Sequence, residues 1–154
     1  MNTLNVGDKV PNFTVNDQDG NSISMQDYQD KKVIVFFYPA ASTPGCTTEA
    51  CNLRDHYKAL QDKGYELLGV SADTEKKQSN FRNKYEFPFP LLADIQKDVI
   101  NAFGVWGPKK FMGREYDGIH RKTFLVHNGV VERVIDKVKT KAHAEQILEN
   151  DRIS

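Results

Sequence analysis

The strongest constraint on the fold is a continuous run of β-branched and aromatic residues, KVIVFFY, at positions 32–38. A strand without polar alternation is typically buried on both faces, so its sheet needs covering layers on either side. A second run of this kind, YELLGVS, follows at positions 65–71. Near the start, the DQDGN segment at 17–21 predicts a turn within a small hairpin, and Asn128-Gly129 predicts a tight hairpin between strands 122–127 and 130–135.

Between these strands the pattern predicts helices. We expect one from about Pro44 to Lys63, followed by others at 73–85, 94–103 and 141–150, with a short strand at 89–93 and a long loop at 104–120. The order is therefore hairpin, βα, βα, βα, ββ, α, which predicts an α/β fold with a mixed central sheet flanked by helices. The thioredoxin-like arrangement suits this order best. No linker-like segment interrupts the chain, so we expect a single domain over residues 1–154.

Composition limits the classes of function. The 21 basic and 21 acidic side chains balance, so there is no electrostatic argument for a nucleic-acid or membrane partner. The first residues, MNTLNVGDKVPNF, lack a basic region followed by an apolar run, and we expect no secretory signal. A cytoplasmic protein is the expectation. Thiols are normally reduced there, so two cysteines are more readily catalytic or metal-binding than a structural disulfide.

Both cysteines lie in the segment TPGCTTEAC, at positions 43–51. Thr43 is a favourable N-cap residue, and Pro44 suits the first position of a helix. Cys46 then falls in the first helical turn, where the positive end of the helix dipole and the free N–H groups favour the thiolate over the thiol. The thiolate is the nucleophilic form of cysteine, so this position predicts a reactive thiol.

Cys51 is predicted to be held apart from Cys46. The expected buried stripe of the helix begins at Cys46 and continues through Ala50, Leu53, Tyr57 and Leu60, whereas Cys51 lies about 140° away on the wetter side. In an ideal helix the two Cα atoms are about 8.7 Å apart, beyond the roughly 4.4–6.8 Å that a disulfide tolerates. The spacing therefore suits two thiols that are separate in one state and joined in another, after the helix start unwinds.

The pattern Pro39-x-x-x-Thr43-x-x-Cys46 resembles the active-site signature of peroxiredoxins, and TPGCTTEAC is similar to their Q-type, or bacterioferritin-comigratory, branch. Further segments that carry the resemblance run along nearly the whole chain: VGDKVPNF, YELLGVSAD, FPFPLLAD, FGVWG and HRKTFLV. One departure lies at positions 40–42, where Ala-Ala-Ser stands in place of a more polar stretch. This difference implies a less polar pocket entrance.

The resemblance implies roles for individual residues. Cys46 would be the peroxidatic cysteine and Cys51 the resolving one. Thr43 and Arg121 would orient the peroxide and stabilise the thiolate, and Glu49 would help to hold the arginine. With these, Pro39 and Gly45 would complete the substrate-binding set.

The resemblance also implies a thioredoxin-like fold and a thiol-dependent peroxidase. The enzyme would reduce hydrogen peroxide and organic hydroperoxides, without metal or other cofactor, through a Cys46 sulfenic acid that Cys51 converts to an intramolecular disulfide. Thioredoxin or a similar dithiol would recycle it. Because the resolving thiol lies in the same chain, we expect a monomer.

Other interpretations stay open on the sequence alone. The cysteines could join two of His56, His120, His127 and His143 in a zinc site, although no ligand spacing is evident. They could also be inert, or serve a general disulfide oxidoreductase or a redox sensor that is not an enzyme. The four histidines are otherwise expected to be surface or structural residues. In the predicted 104–120 loop, Trp106, Phe111 and Tyr116 could be functional or could pack beneath it.

Overall fold

The structure, a computed structural model, describes residues 1–151, with side-chain surroundings up to residue 149; the last three residues of the predicted domain lie outside the described residues. Nine strands occur in this part of the chain: β1 (Thr14–Asn16), β2 (Ser22–Ser24), β3 (Lys32–Phe37), β4 (Tyr65–Ser71), β5 (Leu91–Ala93), β6 (Trp106–Phe111), β7 (Arg114–Ile119), β8 (Lys122–His127) and β9 (Val130–Ile135). The α-helices are α1 (Pro44–Asp55), α2 (Tyr57–Asp62), α3 (Glu75–Tyr85), α4 (Asp98–Phe103) and α5 (His143–Asp151).

The central sheet is mixed, as predicted. Its five strands are ordered β5-β4-β3-β8-β9. β3 pairs in parallel with β4, and β4 pairs in parallel with β5, whereas β8 is antiparallel to both β3 and β9. The N-terminal hairpin is also confirmed, with β1 and β2 joined antiparallel around the predicted turn.

Strand β3 divides the interior into two cores, because alternate side chains of a strand point to opposite faces. Val33, Val35 and Phe37 face a core that includes α4 and the N-terminal segment. Ile34 and Phe36 face a second core, built with α1, α2, α3 and α5, which contains Cys46. This explains the unbroken apolar run, and it puts the reactive-thiol candidate on one defined side of the sheet.

The sequence predicts one continuous helix after β3, but in the structure this helix is interrupted at His56. This residue ends α1 and precedes α2, with φ −110° and ψ 14°. Its backbone N–H donates to Asn52 O at 3.3 Å, and its ring Nδ1 lies 2.9 Å from the same oxygen. The predicted buried stripe survives the break: Ala50, Leu53 and Leu60 are buried, and Tyr57 is half-buried against them.

The predicted long loop at 104–120 is wrong. Residues there form the antiparallel hairpin β6–β7, whose turn has positive φ at Met112 (52°) and Gly113 (79°). Two consecutive positive φ angles give a hairpin turn, which is usually marked by Asn-Gly. Here Met-Gly occupies it, and most side chains of the ribbon are exposed, so neither a turn signal nor apolar alternation marked these strands.

Four other elements begin later than predicted. The helices expected from Asp73 and Lys141 begin at Glu75 and His143. The strand expected from Phe89 begins at Leu91, and the helix expected from Asp94 begins at Asp98. A turn separates them, in which Lys97 N–H donates to Asp94 O and Lys97 adopts a left-handed conformation (φ 61°). Among the described residues, none of the helices has the length and apolar character to cross a membrane.

Candidate active site

The register of the sheet brings Arg121 next to the segment that leads to Cys46. Phe37, the last residue of β3, pairs with Lys122, the first residue of β8. Arg121 therefore lies just beyond the last pair, beside the chain as it leaves β3 for α1. Residues 75 positions apart in sequence meet at this edge, and Arg121 Nη2 lies 3.2 Å from Cys46 Sγ.

The Arg121 guanidinium joins two side chains of α1. While Nη2 donates to Cys46 Sγ, Nη1 donates to Glu49 Oε1 at 2.6 Å. Cys46 and Glu49 are three residues apart and so lie on one helix face, within reach of a single planar donor fork. Burial alone would lower the pKa of Arg121, but the adjacent Glu49 and Cys46 outweigh it and raise the pKa. The cation is therefore permanent and directed at the sulfur.

Gly45 lies beside this contact, and Pro39 lies in the segment that leads from β3 to α1. A Cβ atom at position 45 would lie 3.3 Å from Arg121 Nη2, so the glycine leaves the guanidinium room to approach Cys46. Pro39 directly follows Tyr38 at the end of β3 and is half-buried. Pro39 thus lies in the segment between β3 and α1, and Gly45 lies in the first turn of α1.

Thr43 occupies the N-cap position of α1, but its side chain makes no capping hydrogen bond. Its hydroxyl instead donates to Ala40 O at 2.8 Å, across the turn that precedes the helix. Thr43 thus occupies the N-cap position predicted for it, but the turn competes for its hydroxyl. A second hydrogen bond stabilises the same turn, because Ala41 N–H donates to Asp73 Oδ2 at 2.7 Å.

Cys51 lies away from Cys46, as expected. Both thiols are free; Cys46 is buried, with 2% exposure, and Cys51 is half-buried. Burial raises the pKa of Cys51, with Arg54 opposing the shift. Since both residues belong to the intact α1, bringing the sulfurs together requires part of this helix to unwind.

Glu49 is the most unusual group of the site, because it is a fully buried acid. Burial raises its pKa to about 7, against the opposing pull of Arg121. Only Oε1 has a hydrogen bond; Oε2 is buried without a partner. A side chain that the resemblance offered only as a holder of the arginine thus has a pKa close to physiological pH.

Three neighbours of these residues were not predicted to lie at this site. Behind Glu49, the ring of His143 is buried, with Nε2 2.7 Å from Thr123 Oγ1 and 3.6 Å from Glu49 Oε2. On the hairpin, Lys109 Nζ donates to Ile119 O at 2.9 Å, and burial followed by the proximity of Arg121 lowers the pKa of Lys109. One signal was available for Thr123: it lies two residues after Arg121 and so shares its face of the strand.

The remaining alternatives also have structural answers. Within residues 1–151 there is no group of three or more His, Cys, Asp or Glu side chains that could hold a metal ion. Trp106 is half-buried against the first core, and Lys97 Nζ lies 4.7 Å from the centre of its ring. Phe111 and Tyr116 are exposed, so packing does not account for them.

Comparison with known proteins gives consistent matches. The model of the AhpC/TSA family matches residues 6–134. The chain is 48% identical over 150 residues to a putative peroxiredoxin bcp of Haemophilus influenzae, with 97% of each chain covered. It is 46% identical over 149 residues to peroxiredoxin Bcp of Escherichia coli, with 96% of each covered. A structure of the Xanthomonas campestris bacterioferritin comigratory protein, described with its alkyl peroxide reduction activity, aligns with a TM-score of 0.85 and 32% identity over 92% of this chain and 90% of that one.

Proposed function

From its membership of the AhpC/TSA family, as a peroxiredoxin and thus a thiol-dependent peroxidase, we propose the roles of the two cysteines in this chain. Cys46 reacts with peroxide, and Cys51 converts the resulting sulfenic acid to a disulfide. The family resemblance and the thioredoxin-like fold expected from the sequence are confirmed. The residue roles rest on one observation above all: a single guanidinium contacts both Cys46 Sγ and the buried Glu49.

The first step is attack of the Cys46 thiolate on one peroxide oxygen. A sulfur–oxygen bond forms and the oxygen–oxygen bond breaks, so the thiolate is oxidised to a sulfenic acid while the second oxygen leaves as hydroxide or alkoxide and takes up a proton. Negative charge moves from sulfur to the leaving oxygen. Arg121, a permanent cation at 3.2 Å from the sulfur, is suited to stabilise the charge at both positions.

Thr43 supplies the complementary half of substrate orientation. Its hydroxyl proton is committed to Ala40 O, which leaves the oxygen lone pairs to accept a hydrogen bond from a peroxide O–H. Together with Arg121 as donor, it would fix both ends of the oxygen–oxygen bond beside Cys46. Pro39 and Gly45 would form the surrounding wall, and Glu49 would hold the arginine.

Resolution follows when α1 unwinds. The Cys51 thiol then attacks the sulfenic sulfur of Cys46, a disulfide forms, and water leaves. The raised pKa of Cys51 keeps its thiol protonated, and so unreactive, while it is packed in the helix. Exposure on unwinding removes that restraint.

The finer parts of the function are also proposals. Recycling by thioredoxin or a comparable dithiol returns two electrons per disulfide. We further propose a monomer that acts in the cytoplasm, built as one domain over residues 1–154. A monomer mass in solution tests the oligomeric state, and a single cooperative unfolding transition tests the single domain.

Turnover with a thioredoxin and thioredoxin reductase couple tests the proposal, with hydrogen peroxide compared with cumene hydroperoxide. Cys46→Ser should abolish peroxide consumption, and Cys51→Ser should accumulate a sulfenic acid that a dimedone probe traps on Cys46. If Cys46→Ser retains turnover, the assignment of Cys46 is wrong. Insulin reduction without peroxide would support a general disulfide oxidoreductase instead, and peroxide loss that stops after one equivalent despite the recycling couple would support a sensor.

A further inference from the structure

The buried oxygen of Glu49 faces a histidine that cannot serve it as a donor. Gln146 fixes the ring of His143: the amide Oε1 of Gln146 accepts from Lys139 N–H at 2.8 Å and its Nε2 donates to Lys137 O at 2.9 Å. With its amide oriented in this way, Gln146 presents Oε1 to His143 Nδ1 at 2.9 Å. Nδ1 must therefore carry the ring proton of the neutral imidazole.

The other ring nitrogen is then an acceptor. His143 Nε2 has no proton in this tautomer, and the Thr123 hydroxyl donates to it at 2.7 Å. Glu49 Oε2 lies 3.6 Å from the same nitrogen and has no hydrogen-bond partner. An ionised Glu49 would thus keep one carboxylate oxygen buried without a donor, which disfavours the charged form. A neutral Glu49 with its proton on Oε2 still accepts from Arg121 through Oε1.

We propose that Glu49 is a proton store for the reduced site: it holds a proton while Cys46 is a thiolate and releases it when Cys46 becomes neutral. This inference rests on the proposed reaction of Cys46. In it Glu49 and His143 are positioning residues, because they act on the reacting sulfur through Arg121.

The charges of the pocket give the reason. Before the reaction the Cys46 thiolate compensates Arg121, and a neutral Glu49 leaves this pair undisturbed. Oxidation turns the thiolate into a neutral sulfenic acid and delivers the negative charge to an alkoxide or hydroxide, which needs one proton. Glu49 releases one proton and becomes the anion beside Arg121. The buried cation is therefore compensated by one anion at each stage, and the protons balance.

The pKa directions agree with this arrangement. Burial raises the pKa of Glu49 to about 7 and lowers that of His143 to about 4, so the proton resides on the carboxyl. Charged groups act on the pair from several elements: Arg121 before β8 acts on Glu49, and Arg121, Arg133 on β9 and Glu145 on α5 act on His143. Cys46 on α1 and Lys109 on β6 adjoin the same Arg121.

Nuclear magnetic resonance on the full chain, with glutamate Cδ and histidine ring nitrogens labelled, tests the proposal without any peroxide. In the reduced protein, Glu49 should titrate near neutrality, and His143 should carry its proton on Nδ1 alone. Cys46→Ser, which removes the competing anion, should lower the Glu49 midpoint by about one pKa unit or more. His56→Asn is the matched control, because His56 also links α1 to α5, through Glu145, but on the exposed side; it should leave the Glu49 midpoint unchanged.

Gln146→Met provides a second, independent variant. It removes the acceptor that fixes His143, so the ring can place its proton on Nε2, the nitrogen 3.6 Å from Glu49 Oε2. The positive end of the N–H dipole then lies nearer the carboxylate, and the Glu49 midpoint should fall. A proton on Nε2 in the parent, a Glu49 midpoint below pH 5.5, or equal midpoints in the parent and Cys46→Ser would each overturn the proton store. Turnover is measured separately, so a failure of the proposed peroxidase roles is read from peroxide consumption and not from these titrations.

Discussion

The opposite pKa shifts of Glu49 and His143 predict two contributions to the unfolding free energy that change with pH in opposite directions. Glu49 has an ordinary pKa of 4.5 and about 7 in the fold. Between these values the native state holds a proton that the unfolded state has lost, so stability falls as pH rises, by about 3 kcal/mol in total. His143 has an ordinary pKa of 6.5 and about 4 in the fold. Between those values the unfolded state holds the extra proton, so stability rises with pH, also by about 3 kcal/mol.

In the parent these two contributions nearly cancel between pH 4.5 and pH 6.5, and single substitutions should separate them. Relative to the parent, Glu49→Gln should gain about 3 kcal/mol of unfolding free energy from pH 4.5 to pH 7, whereas His143→Asn should lose about as much from pH 4 to pH 6.5. Urea unfolding of the reduced protein at pH intervals measures both, and His56→Asn should follow the parent. If the two variants run parallel to the parent across this range, neither group is shifted in the fold and the reasoning is refuted.

Further predictions concern the guanidinium and the helix. Arg121→Gln should lower kcat/KM for peroxide by about 10²–10³-fold, whereas Lys122→Gln, one position along with its amine paired to Asp136, should change it little; equal losses in stopped-flow assays would contradict the role of Arg121. Gly45→Ala should raise stability but lower activity. Alanine stabilises a helix by up to about 1 kcal/mol, whereas its Cβ meets Arg121 Nη2 at 3.3 Å and should slow peroxide reduction about tenfold. An unchanged rate would mean that the guanidinium does not need this space. Asn52→Ala removes the acceptor of Ala144 N–H at 2.7 Å and should destabilise the protein by about 1 kcal/mol. Disulfide formation after oxidation, followed by mass spectrometry, should become about fivefold faster. Slower formation would argue against unwinding as the limiting step.

The parts of the fold that sequence predicted well are those encoded by local signals. The apolar runs of β3 and β4 and the Asn128-Gly129 turn gave their strands directly, because burial on both faces and a positive-φ turn have strong residue preferences. The β6–β7 hairpin escaped because its turn is Met-Gly and its strands are mostly exposed. Sequence therefore predicts an element well when its own residues carry the reason for it.

The same limit applied to the site. The cysteines were found from their position at a helix start, and Arg121 and Glu49 from the resemblance. His143 was not found, because its burial depends on how α5 docks against α1, which in turn depends on Asn52 bonding to Lys141 O and Ala144 N–H, some 90 residues away. Nothing in the residues around any of the four histidines distinguishes the buried one from the rest.

The division of the interior by β3 has a mechanical consequence if α1 unwinds in each cycle, as we propose. The side chains that support α1 and α5 lie on one face of the sheet, and those that anchor the N-terminal hairpin and α4 lie on the other. Unwinding of α1 would then disturb only the core that contains Cys46. The core on the other face of the sheet would keep the strands in register, so that the same pocket can form again when α1 refolds.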